Sequence, residues 1–335
     1  MTCKQRVIDV INHKEADKIP YTVDLLTDSR EKLKDYYNDP DFESKLENPF
    51  AYTGASGFPK EREVEPGIYQ DNFGVHWDRR IDKDCGIIHE AIVNEDNFGD
   101  FEFPNPNDEK LYHHLIKTIN DHPDKFIIAG GPSIFERSWF LCGLENVLMD
   151  MAVNEKFLFK MYDKIMDYNL QLIDNYLKFD IDCVHINDDY GQQTGLIMGG
   201  KYWRKFFKPG LKLMVDKIKS GNKYVRLHSC GNITEIIPDL IEIGIDIINP
   251  LQPEVMDVFW LKDTYGKDIT FHGGISEQRT LNTGTPDDVE KEMREKMKRL
   301  GRGGGYILGP SQGITSNVPV ENVVRFIDVA KSQGL

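Results

Sequence analysis

The stretch Tyr224-Val225-Arg226-Leu227-His228-Ser229-Cys230-Gly231-Asn232 decides how the rest of the chain is read. A short apolar run stops at a glycine turn, the pattern of a buried strand that delivers polar side chains where it ends. Residues two apart on a strand point to the same side, so His228 and Cys230 can act on one target. An imidazole beside a thiolate suits a borderline-soft metal such as zinc. Two donors do not close a site, and a structural histidine next to a buried free cysteine fits the same residues.

Outward from this strand the chain alternates. Upstream, helices over 107–121, 134–152, 154–177 and 200–219 are interleaved with strands over 126–131 and 183–188. Downstream come a short helix near 234–243, strand 246–250, helix 255–265, strand 268–272, a charged helix 284–300, strand 305–309 and a helix 319–333. A helix over 2–13, with Thr2 as cap, and a strand over 18–24 open the series. This alternation of strands and helices predicts a parallel sheet with helical crossovers. Seven recognisable strands and one hidden in the irregular region make an α/β fold, a single (β/α)8 TIM barrel occupying residues 1–335 as one domain. An open doubly wound sheet is the alternative. Against it, no GxGxxG follows the first strand, and Gly301-Arg302-Gly303-Gly304-Gly305 precedes a strand instead of opening a helix.

Residues 38–103, acidic and rich in glycine, proline and aromatics, read as an elaborated insertion or lid. Its Asp71-Asn72-Phe73-Gly74-Val75-His76-Trp77 segment either packs the lid onto the body or contacts substrate. The net charge of -14 argues against a nucleic-acid partner, which needs a basic surface. Five scattered cysteines without CxxC spacing argue against a disulfide framework. No stretch approaches the roughly 18 apolar residues of a membrane span, and the opening residues lack a signal-peptide core. The expectation is a cytoplasmic protein, neither exported nor membrane-bound.

Barrel enzymes place their chemistry at the carboxyl ends of the strands. Polar groups gather there: Asp188, Asp189 and Tyr190; His228 and Cys230; Asn249 and Gln252; His272, Ser276, Glu277 and Gln278; Ser311 and Gln312. Each has a duller reading as a cap, a turn residue or a satisfied core histidine, but five loops on one rim carry groups able to bind metal, move protons or hold a polar ligand. Arg137 suits either an anionic group of the ligand or a salt bridge. Asn232 and Glu235 have capping-box spacing, and Trp203, Phe206 and Phe207 have core spacing.

Asn187-Asp188-Asp189-Tyr190-Gly191, His228-Ser229-Cys230-Gly231-Asn232, Ile248-Asn249-Pro250-Leu251-Gln252-Pro253, Phe271-His272-Gly273-Gly274-Ile275 and Gly304-Gly305-Tyr306-Ile307-Leu308-Gly309-Pro310 together resemble the uroporphyrinogen decarboxylase superfamily, which includes corrinoid-dependent methyltransferases. The resemblance implies a (β/α)8 barrel. The decarboxylase's arginine-rich segment after the first strand is absent, since Tyr21-Thr22-Val23-Asp24-Leu25-Leu26-Thr27-Asp28-Ser29-Arg30 stands there. The methyltransferase branch implies zinc on a His-x-Cys pair, matched by His228 and Cys230, with a further cysteine where this chain has Gln312. Among Asp188, Asp189, Glu277 and His272 as replacement ligands, Glu277 is the one expected. The expected partners are a corrinoid-carrying protein and a small methyl donor or acceptor, favoured as a methoxylated, possibly aromatic, compound. Asp188, Asp189 and His272 are the expected catalytic groups; Arg137, Tyr190, Gln252, Gln278 and Gln312 are the expected substrate contacts. A metal-free decarboxylase and a non-catalytic corrinoid- or metal-binding barrel are the alternatives.

Overall fold

The computed structural model describes residues 1–55 and 62–333. Seven parallel strands form one curled sheet: β1 (Phe50–Gly54), β2 (Phe126–Gly130), β3 (Cys183–Asn187), β4 (Tyr224–His228), β5 (Ile247–Leu251), β6 (Thr270–Ile275) and β7 (Tyr306–Pro310), in that spatial order. The fold is the expected α/β barrel type. The hidden strand is β1, paired in register with β2 from Phe50↔Phe126 to Gly54↔Gly130.

The eighth staff of the barrel is irregular. The segment over 18–25 runs beside β7 and is joined there by two isolated bridges, Tyr21↔Leu308 on the strand and Leu25↔Ile314 beyond its end. Its partner strand ends at Pro310, so pairing must skip to Ile314, whose amide reaches the Asp24 carbonyl at 2.7 Å. Two expected helices are each a broken pair. Gly143, at φ +83°, separates Phe135–Cys142 from Leu144–Val153. Pro209 in the first turn of Lys208–Ser220 cannot extend the preceding Gly199–Phe206.

The two ends of the barrel differ. At the amino end, Val7, Val10 and Ile11 of the helix Cys3–Ile11 pack with Phe50, Phe126, Ile128, Cys183, Ile247 and Ile307 as a closed apolar plug. Thr2 caps that helix by accepting from the Gln5 amide at 3.1 Å. This apolar cluster closes the amino end of the bore. Over the carboxyl end lies an antiparallel sheet of Arg62–Glu65, Ile68–Gln70, His76–Asp78 and Ile87–Ile88. Asp71 pins it: its carboxylate accepts from the Phe73 and Val75 amides at 2.9 and 3.0 Å, and from Trp77 Nε1 and Arg137 Nη1 at 3.3 Å. No helix among the described residues is long and apolar enough to cross a membrane.

Candidate metal centre and barrel chamber

Side-chain parity on two neighbouring strands creates the centre. Strands β3 and β4 pair so that Asn187 stands opposite His228. Beyond both strand ends, Asp189 and Cys230 continue the inward-facing series. His228 Nε2 lies 3.5 Å from Cys230 Sγ and 3.6 Å from Asp189 Oδ1. Tetrahedral zinc with ordinary bond lengths separates nitrogen, sulfur and oxygen donors by roughly 3.4–3.6 Å, so the residues fit such an ion. His228 Nδ1 donates to Asn249 Oδ1 at 2.9 Å, which leaves the Nε2 lone pair facing the other two donors.

Backbone interlocking holds this arrangement. The Cys230 amide donates to Asp189 Oδ1 at 2.7 Å, and the Gly231 amide to Gln252 Oε1. The Tyr190 amide donates to Ser229 Oγ at 2.9 Å, and the Asn232 amide to the Gln192 carbonyl at 2.9 Å. Gly231, at φ +82°, lies so close to the facing loop that a Cβ would meet the Gly191 carbonyl carbon at 2.2 Å. Burial first, then the charge of Asp189, holds the Cys230 thiol well above its usual range, while Gln312 is a side-chain hydrogen-bond partner of that thiol. A bound cation would offset both causes. Glu136 completes the acidic surroundings; it accepts from Asn187 Nδ2, and burial, then Asp189 and Asp188, raise its carboxyl well above the usual range.

Below these residues the barrel bore is polar. Arg226, two residues before His228 on β4, donates through Nη1 to His185 Nδ1 at 3.0 Å and through Nη2 to His272 Nδ1 at 3.5 Å. His272 Nε2 lies 2.9 Å from Thr22 Oγ1, which donates to Asp24 Oδ2 at 3.1 Å. Burial, then Arg226, holds both imidazoles well below their usual pKa, so both are neutral acceptors. Burial raises the Asp24 carboxyl and the Tyr52 phenol.

Residues 73–333 match the family described as Uroporphyrinogen decarboxylase (URO-D). The chain belongs to that family. Among its curated relatives, a methylcobamide:CoM methyltransferase of Methanosarcina acetivorans is 26% identical over 183 residues, covering 55% of this chain and 51% of the relative. A second, from Methanosarcina barkeri, is 27% identical over 122 residues, covering 36% of this chain and 34% of the relative. The first match thus spans about half the length of that relative. A solved methyltransferase from Methanosarcina mazei superposes over 100% of both chains with a TM-score of 0.73 at 17% identity, which shows a shared fold.

The URO-D chain distributes its other expected site residues differently. Asp189, not Glu277, stands third beside His228 and Cys230. Glu277 is buried in the turn that follows β6, where its Oε1 accepts from Thr315 at 3.0 Å. Asp188 points the opposite way from Asp189 and caps the helix Phe135–Cys142, accepting from the Ile134 and Glu136 amides at 2.9 Å and from the Tyr190 hydroxyl at 2.8 Å. Burial raises the Asp188 pKa to about 7. Tyr190 is fully buried against Trp203 and Phe207. Gln252 braces the Gly231 turn, and Gln278 is exposed. Arg137 lies inside the cap, 3.3 Å from Asp71 and 3.8 Å from the Phe73 ring centroid. Asn232 accepts from the Thr234 amide, while Glu235 pairs with Arg204 at 3.1 Å instead of closing a capping box. Asp24 and Arg226 join the bore although neither is among the expected site residues; an acid closing the first strand and a charge inside an apolar strand are the sequence signals for them.

Proposed function

We propose that this chain is a zinc-assisted methyltransferase that moves a methyl group between a small methylated substrate and a corrinoid carried by a partner protein. The observation that carries the reading is the donor set itself: nitrogen, sulfur and oxygen at 3.5 and 3.6 Å spacings, with His228 turned by Asn249 so that Nε2 is free. The names of the curated relatives, methylcobamide:CoM methyltransferases, support the reaction class. Zinc held by His228, Cys230 and Asp189 supplies Lewis acidity to the heteroatom that bears the methyl group.

The chain's own residues bias the substrate. Gln312 offers an amide beside Cys230 in place of a second thiolate, and Asp189 contributes a hard oxygen. A donor set shifted from sulfur to oxygen favours a harder substrate atom, so an ether oxygen suits it and demethylation of a methoxylated compound is the preferred direction. The plug of Val7, Val10 and Ile11 confines the reaction to the barrel's carboxyl end. A porphyrinogen-like polycarboxylate is disfavoured because the segment Tyr21 to Arg30 carries one arginine, Arg30, and it is engaged with Glu43 at 2.7 Å.

Metal analysis of the purified chain, joined to methyl transfer from methoxylated compounds to reduced free cobalamin, tests this reading. About one zinc per chain, lost together with transfer in His228→Ala and Cys230→Ala, is expected. A fully active protein without bound metal would refute it.

A further inference from the structure

Arg226 presents a charge with no carboxylate in direct contact among the described residues. It keeps only 5% of its surface, its Nε has no hydrogen-bond partner, and no carboxylate among the described residues lies within 4.0 Å of its guanidinium. A buried cation of this kind is costly unless it is paired. Its two contacts through Nη1 and Nη2 go to the neutral imidazoles of His185 and His272, which orient the fork without cancelling its charge. Asp24 feels the Arg226 charge, which opposes the effect of burial on its carboxyl, but its hydrogen bond goes to Thr22.

The surroundings form a chamber. The Tyr52 ring stands 5.7 Å from the guanidinium carbon and keeps 43% of its surface, while burial of its phenol end raises the phenol's pKa. His185, Asp24 and His228 also retain partial exposure, so solvent reaches side chains both at the metal residues and around the Arg226 layer. Arg226 and His228 share one face of β4, and two residues along a strand span roughly 7 Å.

We propose that Arg226 anchors a carboxylate of the small substrate in the barrel bore, leaving the methyl-bearing heteroatom beside His228 and Cys230. This rests on the methyl-transfer reading above and narrows its substrate to small monocarboxylates. A benzene ring or a short alkyl chain between carboxylate and ether oxygen spans the interval between the two layers. Arginine suits the task because its planar fork meets both oxygens of a carboxylate.

Calorimetric titration of the zinc-loaded full-length chain with 4-methoxybenzoate, 3-methoxypropanoate and their primary amides tests the anchor without relying on turnover. At least one acid is expected to bind tenfold or more tightly than its amide, with the preference lost in Arg226→Gln and partly kept in Arg226→Lys. The acid-to-amide comparison on the unsubstituted protein stands even where Arg226→Gln does not fold. Equal binding of acid and amide, no binding by either acid, or a preference that survives in folded Arg226→Gln overturns the proposal. A preserved acid preference without methyl transfer to reduced cobalamin would refute the methyl-transfer reading and leave the anchor standing.

Discussion

Replacing Asn249 by alanine isolates the contribution of one outer contact to metal affinity. Asn249 Oδ1 accepts from His228 Nδ1 at 2.9 Å, and this bond keeps the proton off Nε2. A neutral hydrogen bond contributes about 0.5–1.5 kcal/mol, or roughly a 2- to 12-fold change in affinity. Without the acceptor the imidazole shares its proton between two tautomers, which removes roughly another factor of two. Asn249→Ala should therefore weaken zinc binding about 5- to 25-fold, overlapping the range seen when such outer partners are removed elsewhere. Asn249→Asp keeps an acceptor in place and should bind zinc at least as well as the unsubstituted chain. Competition against a chelating dye measures both, with thermal melting of the apo proteins as the control for folding. An Asn249→Ala affinity within twofold of the original, in a protein that melts normally, would refute the view that Asn249 sets the histidine's tautomer.

Gly231→Ala places a methyl group 2.2 Å from the Gly191 carbon at a residue with φ +82°, so a loss of about 2–3 kcal/mol in unfolding free energy is expected by chemical denaturation. Arg137→Met leaves the Asp71 carboxylate buried with its cation removed, and should cost about 3–5 kcal/mol, read by thermal melting, with faster amide exchange in 62–78. His185 and His272 have folded pKa values well below the unfolded value, so the unfolded chain binds more protons in that window. Their contribution is complete above about pH 6.5 and is lost as pH falls towards the depressed values, with a combined slope of up to about 2.7 kcal/mol per pH unit. Denaturant midpoints across pH 4.5–8 check this, and His272→Asn should flatten the slope.

The alternation of strands and helices made the barrel legible, and the glycine turn after β4 marked His228 and Cys230. Adjacent acids were harder. Asp188 and Asp189 follow one another in sequence, and only the pairing of Asn187 with His228 fixes which of them faces inward. With that register, parity assigns Asp189 to the metal group and Asp188 to the helix cap. Glu277 misled because a strand-end position says nothing about the direction of the next turn; the π-helical turn Glu277–Leu281 carries it towards Thr315. Strand β1 stayed hidden because Phe-Ala-Tyr-Thr-Gly is short and sits within an irregular region, although Phe50 and Tyr52 share a face as strand residues should. Arg137 had two readings in the sequence, and the fold of the cap around Asp71 favours the internal one.

The close approach of Gly231 to Gly191 makes the Cys230 turn and the Asp189 loop a single mechanical part. Neither loop can tilt without dragging the other, because their backbones meet where even a methyl group does not fit. Retuning this centre for a different ligand would therefore be easiest through Gln312, which reaches the site from a separate loop. The barrel in this sense works like a vice with one fixed jaw and one exchangeable one.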